Sequence, residues 1–172
     1  MCHRPDQCSS LPVVPSRWLP PKGYTAITVF GRVLTRKDDY DEWMRHATSK
    51  AYQELYHHER IHLRQAVSVR NSWICYYALY LWYYLKGRPL RYGHEVAYLS
   101  NPFELEAYLF EDDDQYGQNQ TKGCIGWKRL ASYPPSLWRA LMLDVSSNQC
   151  PPRKLPRSEF LKRVKLFMTD KW

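Results

Sequence analysis

The residues of this chain best suited to chemistry lie together in Tyr56-His57-His58-Glu59-Arg60-Ile61-His62-Leu63-Arg64-Gln65-Ala66. Within that stretch, His58-Glu59-x-x-His62 has the H-E-x-x-H spacing of zinc hydrolases. On an α-helix, residues i and i+4 leave the same face one turn apart. The imidazoles of His58 and His62 can therefore meet one tetrahedral zinc ion at roughly 2.0–2.1 Å each. Glu59 sits one step round the helix, placed to reach a zinc-bound water rather than the metal. A carboxylate there takes the proton of that water while the ion lowers its pKa. His57 precedes the motif and shows that histidine also occurs here outside the ligand spacing. The plainer reading, a solvated polar helix face, takes second place because the context is helical. No Pro or Gly interrupts Ser49 to Val69, Thr48 or Ser49 can cap the start, and Ala51, Leu55, Ile61 and Ala66 supply apolar positions.

A zinc ion held by two histidines and a water needs one more protein ligand. Cys2, Cys8 and His94 carry suitable atoms. Glu104 and Glu106 are better placed, one turn into a helix that opens with Asn101 at the N-cap and Pro102 at its first position. Each glutamate also has an ordinary role available. Glu104, third in the helix, can fold back on the cap as half a capping box. Glu106 can be a solvated acid favoured near a helix N-terminus.

The pair His58-Glu59-Arg60-Ile61-His62 and Glu104-Leu105-Glu106-Ala107-Tyr108 resembles the gluzincin metallopeptidases. In several gluzincin groups the third ligand is the first Glu of a Glu-x-x-Ala-Asp or Glu-x-x-Ala-Asn segment on a second helix. By position the resemblance implies Glu104 as that ligand, with Glu106 as the alternative and Ala107 as the matching small residue. Tyr108 stands where the family has Asp or Asn, so a steadying hydrogen bond would come from a phenol. The wider stretch, from His58 to Gln65 and through the Trp/Tyr-rich segment to Tyr108, is also similar to short bacterial proteins of zincin type. The likeness covers residues 24–111. It implies an α+β, mainly helical minimal zincin with a small N-terminal β-sheet, the motif helix beneath it, and a second helix bringing the glutamate. It also implies a zinc cofactor and a peptide or protein substrate laid along the strand near Thr25–Phe30, paired by backbone hydrogen bonds as in β-augmentation. An oxyanion would need a further donor, for which His94, Tyr92 and Tyr108 are candidates.

At 172 residues the chain is long enough for one domain with a real core. It is rich in aromatic residues, with 14 Tyr and 7 Trp, and carries a formal charge of +8. A basic balance favours an anionic partner such as an acidic membrane surface or nucleic acid, although nothing in the sequence singles out nucleic acid. Met1-Cys2-His3-Arg4-Pro5-Asp6 leads into Pro-rich polar sequence without the apolar stretch of a secretory leader. Cys2, Cys8, Cys75, Cys124 and Cys150 form no C-x-x-C, which points away from a zinc ribbon or a disulfide scaffold. The expected compartment is the cytoplasm, with the membrane periphery as its variant. Cys2, His3 and Cys8 read as free groups on a loose terminus rather than a partial metal site.

Three segments follow from composition: an extended Pro-rich arm over 1–22, the metal-motif domain over 23–150 and a basic tail over 151–172. Tyr24 to Phe30 is the best strand, rich in β-branched and aromatic residues. Gly31 punctuates it, and Arg32 to Thr35 continues it or forms a second strand. Asp38 or Asp39 can cap a helix through Trp43 and Met44. The run Trp73 to Leu85 is apolar nearly all round, which describes a helix in a core or one lying on a membrane. Burial in the core is the preferred reading. Its uncharged length falls short of the ~20 residues that span a bilayer, while its Trp and Tyr suit a membrane interface. Gly87-Arg88-Pro89 ends it, and a short helix is expected over Ser136 to Leu143.

Three functions are compatible with these residues. The leading one is a zinc-dependent peptidase with Glu59 as general base. A zinc-binding regulatory or interaction domain without catalysis comes second, disfavoured because such a domain has no need of Glu59. The third is an adaptor contacting anionic membrane or nucleic acid through Lys162, Arg163 and Lys165, with Phe160 and Phe167 inserting or stacking. A tail helix packed on the domain is preferred over that last reading.

Overall fold

The structure, a computed structural model, describes residues 4–7, 11–118, 123–144 and 153–169. Among the described residues it is an α+β protein, with nine α-helices, a three-stranded mixed sheet and a two-stranded hairpin. It gathers into two compact units, Met1–Ala78 with Phe110–Ile125 and Leu79–Leu109 with Gly126–Trp172.

In the first unit, β1 (Val13–Ser16) comes from within the Pro-rich arm and runs parallel to β3 (Arg32–Arg36), with Val13 opposite Val33. Strand β2 (Ala26–Val29) pairs antiparallel with β3, Ala26 opposite Thr35 and Val29 opposite Arg32. The order β1-β3-β2 leaves β2 at an edge. Phe30 and Gly31 join β2 to β3 with φ of 46° and 76°. Positive φ at both central residues is the type I′ geometry that matches strand twist, so Arg32 to Thr35 is a separate strand. That backbone is uncommon for phenylalanine. Here the ring packs edge-on against Trp73 and Tyr77, and the Phe30 N–H donates to the Tyr77 hydroxyl at 2.9 Å.

Helix α1 (Lys37–His46) has Arg36 at its N-cap. Asp38 and Asp39 therefore do not cap it; they lie inside the first turn, where their charge meets the positive end of the helix. Ser49 stands at the N-cap of α2 (Lys50–Ser68), but its hydroxyl makes no capping hydrogen bond. Helix α2 buries His57, His58, Glu59, Ile61, His62, Leu63, Gln65 and Ala66. The Thr28 hydroxyl of β2 donates to the Glu59 carbonyl at 3.4 Å. At its far end α2 meets Gly123 (φ 75°), where an added Cβ would come within 2.1 Å of the Arg64 carbonyl oxygen. The Cys124 N–H bonds that same carbonyl at 3.1 Å.

Helix α3 (Trp73–Lys86) corrects the expectation of a fully buried helix. Only Trp73 and Tyr76 are buried, while Ile74, Leu81, Trp82 and Leu85 are exposed. The second unit contains its C-terminal half, the short helices α4 (Pro89–Tyr92) and α5 (His94–Leu99), and α6 (Pro102–Phe110) up to Leu109. The Asn101 side chain accepts the Phe103 N–H at 3.1 Å, so the sequence-predicted N-cap is in place. Phe103 packs against Tyr80, Tyr83 and Trp127, its ring centroid 4.6 Å from that of Trp127. Helices α7 (Gly126–Ala131) and α8 (Pro135–Leu141), the hairpin β4 (Leu143–Asp144) with β5 (Arg153–Lys154), and α9 (Arg157–Met168) complete the unit.

Helix α9 buries Phe160, Val164 and Met168, and the Phe167 ring packs edge-on against Tyr133 and Trp138. The tail thus contributes to a core, and Phe160 is not available to insert elsewhere. Cys75 and Cys124 are not joined in a disulfide. Cys2, His3, Cys8, Cys150 and Lys171 lie outside the described residues. No helix among the described residues is long and apolar enough to cross a membrane.

If α9 is structural, Phe160→Ala should lower the stability of the chain by about 3–5 kcal/mol. Leu166→Gln, at a side chain that is 78% exposed, should change it by no more than about 0.5 kcal/mol. Urea unfolding followed by circular dichroism makes the comparison.

Candidate metal centre

Helical spacing sets His58 and His62 on one face of α2, with ring centroids 4.8 Å apart and planes at 83°. Both rings are buried. Each Nδ1 faces an acceptor. His58 Nδ1 lies 2.9 Å from Glu111 Oε2. His62 Nδ1 lies 2.8 Å from Gln65 Oε1, with the Tyr76 hydroxyl at 3.1 Å. A carboxylate and an amide oxygen only accept, so in both contacts the hydrogen is supplied by Nδ1. The two Nε2 atoms converge to 3.2 Å.

Nitrogens bound to one tetrahedral zinc at 2.0–2.1 Å stand about 3.3–3.4 Å apart, so the pair already has ligand spacing. An acceptor behind each Nδ1 is also the arrangement that fixes the tautomer of metal-binding histidines. The Glu111 backbone carbonyl also accepts from Nδ1 of the neighbouring His57 at 3.2 Å.

His58, His62 and Glu104 form a buried group whose ligand atoms all lie within 4.8 Å of one another, and this group could hold a metal ion. Glu106, fully buried on the same helix as Glu104, lies outside that group. The Tyr80 hydroxyl donates to Glu104 Oε1 at 2.6 Å. Tyr98 also hydrogen-bonds the Glu104 carboxylate. Burial, reinforced by the charge of Glu104, pushes the Tyr98 phenol well above its ordinary range. At neutral pH it is therefore a donor that grips the carboxylate.

Tyr108 stands one step behind, its hydroxyl 3.5 Å from that of Tyr98 and its ring 4.6 Å beneath the Arg157 guanidinium. His94 is exposed at the start of α5, with Nδ1 2.8 Å from the Tyr84 hydroxyl. Tyr92 is exposed with the Arg139 guanidinium 4.4 Å over its ring.

Glu59 is buried, and its Oε2 has no hydrogen-bond partner among the described residues. A buried carboxylate oxygen left without a donor costs free energy, which fits a site completed by something that brings one. The Tyr77 phenol is pushed up chiefly by burial, with the Glu59 charge adding to it. The same hydroxyl donates to the Thr28 carbonyl at 3.4 Å while accepting the Phe30 N–H. Part of the candidate substrate strand Thr25–Phe30 is therefore engaged within the protein itself.

Glu111, Gln65, Tyr76, Tyr80 and Tyr98 escaped the reading of the sequence. Gln65 carried a signal, being three positions beyond His62 on the same helix face. Glu111 was visible only as the first residue of an acidic run. The chain matches no family model, no curated protein and no solved structure.

Loss of the group behind a metal-binding imidazole weakens metal binding by 10–100-fold as a rule. Glu111→Ala should accordingly reduce zinc affinity by about that factor, whereas His62→Ala should abolish it. Zinc titration against a chromophoric chelator reads both.

Proposed function

We propose that the chain is a zinc-dependent peptidase of gluzincin type, built as a minimal zincin. The observation that carries this reading is the convergence of two imidazole nitrogens, each ring oriented from behind, in a buried group with a carboxylate. Two imidazoles and a carboxylate suit zinc, whose catalytic sites take three protein ligands and keep a further position for water or substrate. When bound, such an ion supplies Lewis acidity that acidifies a coordinated water and polarises a carbonyl.

The protein's own part of the reaction falls to Glu59 and to the residues that hold the ligands. Glu59 follows His58 on α2, is buried, and offers an oxygen with no hydrogen-bond partner among the described residues. In this reading it takes a proton from the attacking water and returns it to the departing amine. Tyr80 and Tyr98 hold the Glu104 carboxylate in one orientation. A peptide lying along the edge strand β2 would meet Tyr77 at Thr28 and Phe30.

One observation favours a second reading, a zinc-binding interaction domain without turnover. The Tyr77 hydroxyl occupies strand groups that a substrate backbone would use. A single comparison separates the two. The zinc-loaded chain should cleave an unfolded protein, and Glu59→Gln should bind zinc equally well while losing 10²–10⁴-fold in rate. Equal cleavage by both, or zinc binding with cleavage by neither, would assign the site to the second reading.

A further inference from the structure

The C-terminal half of α3 and the turn that follows expose a run of large apolar side chains. Leu81, Trp82 and Leu85 are 54%, 56% and 54% exposed, and Leu90 is fully so. Positions 81, 82 and 85 share one helix face. Large apolar side chains exposed together on one helix face are the kind of feature that marks a site of interaction. Three exposed cations, Lys86, Arg88 and Arg91, are interleaved with it. No acidic residue occurs anywhere from residue 71 to residue 94. The Lys86 ammonium lies 5.3 Å over the Trp82 ring, and the Arg91 guanidinium 5.4 Å over that of Tyr92. Arg88 adopts a left-handed backbone (φ 56°) immediately before Pro89 and Leu90.

We propose that residues 81–92 are a peripheral docking surface for an anionic lipid bilayer. Leu81, Trp82, Leu85 and Leu90 enter the boundary between headgroups and acyl chains, and Lys86, Arg88 and Arg91 meet the headgroup phosphates and carboxylates. The argument for lipid rests on charge and residue type together. Trp and Tyr favour the interfacial zone, exposed leucines supply burial in it, and each basic residue adds attraction to an anionic leaflet. Helix α3 is too short to cross the membrane, so the surface lies on it. The inference is independent of the metal centre.

The test is flotation of the full chain with vesicles of phosphatidylcholine alone, or of phosphatidylcholine mixed with phosphatidylserine, at low and high salt. Binding is expected to the mixed vesicles at low salt and to weaken as salt screens the charges. Leu90→Ser should weaken it at least about tenfold. The pair Arg88→Ala and Arg91→Ala should weaken it roughly thirtyfold. Lys162→Ala with Lys165→Ala, on exposed positions of α9, should leave it unchanged. Circular dichroism checks that the variants fold, and the comparison of vesicle types on the unaltered chain stands without them. No binding, equal binding to both vesicle types, or binding indifferent to Leu90→Ser overturns the proposal. So does a lipid-free dimer that Leu90→Ser dissociates, which would assign the face to a second copy of the chain.

Discussion

Two imidazole nitrogens held 3.2 Å apart within reach of a buried carboxylate are the constraint that the surrounding structure has to satisfy. Electrostatic interactions among such groups strengthen as water is excluded, because the local dielectric falls. A cation held by the cluster would gain from the same effect. Ligand binding at such a site contributes directly to the free energy of folding. The acceptors behind the rings matter as much as the rings themselves. Glu111 and Gln65 accept at the two Nδ1 atoms and so fix the orientation of both rings.

The unusual abundance of tyrosine becomes intelligible in this light. On α3 the hydroxyl-bearing residues Tyr76, Tyr77, Tyr80 and Tyr84 recur at helical spacing. Tyr76 reaches His62, Tyr77 clamps the turn of the β2–β3 hairpin, Tyr80 donates to Glu104, and Tyr84 meets His94. A tyrosine supplies apolar area along its ring and a polar group at its tip. The helix can therefore pack like an apolar one while satisfying buried polar partners. Counted by hydropathy, α3 is apolar all round. Counted by what each side chain touches, it has a tyrosine face turned to polar groups and an aliphatic face, Ile74, Leu81 and Leu85, left in the open.

Helix α6 applies the same economy to its acids. Glu104 and Glu106 are buried among Phe103, Leu105, Ala107 and Leu109, where an ionised carboxylate without partners would be strongly disfavoured. Phenols from Tyr80 and Tyr98 take up that role for Glu104, and burial keeps Tyr98 protonated so that it can donate. The helix end is conventional by comparison, with Asn101 closing the first turn through Phe103.

What the sequence determined by itself is what short-range geometry determines. The i, i+4 spacing places His58 and His62 on one face of any α-helix. The absence of breakers from Ser49 to Val69 makes that helix, and Asn101-Pro102 starts the second one. Alternation and β-branching mark β2 and β3, although the positive φ at Phe30 that turns them into a hairpin depends on rings from α3. Tertiary structure decided the remainder. It drew Glu111 out of an acidic run to orient His58, and it grouped Glu104 rather than Glu106 with the histidines. It buried the basic tail's Phe160 in a core and left Leu81, Trp82 and Leu85 outside one. The reason is physical: periodicity records which residues share a face, but which partner or solvent that face meets depends on segments far away in the chain.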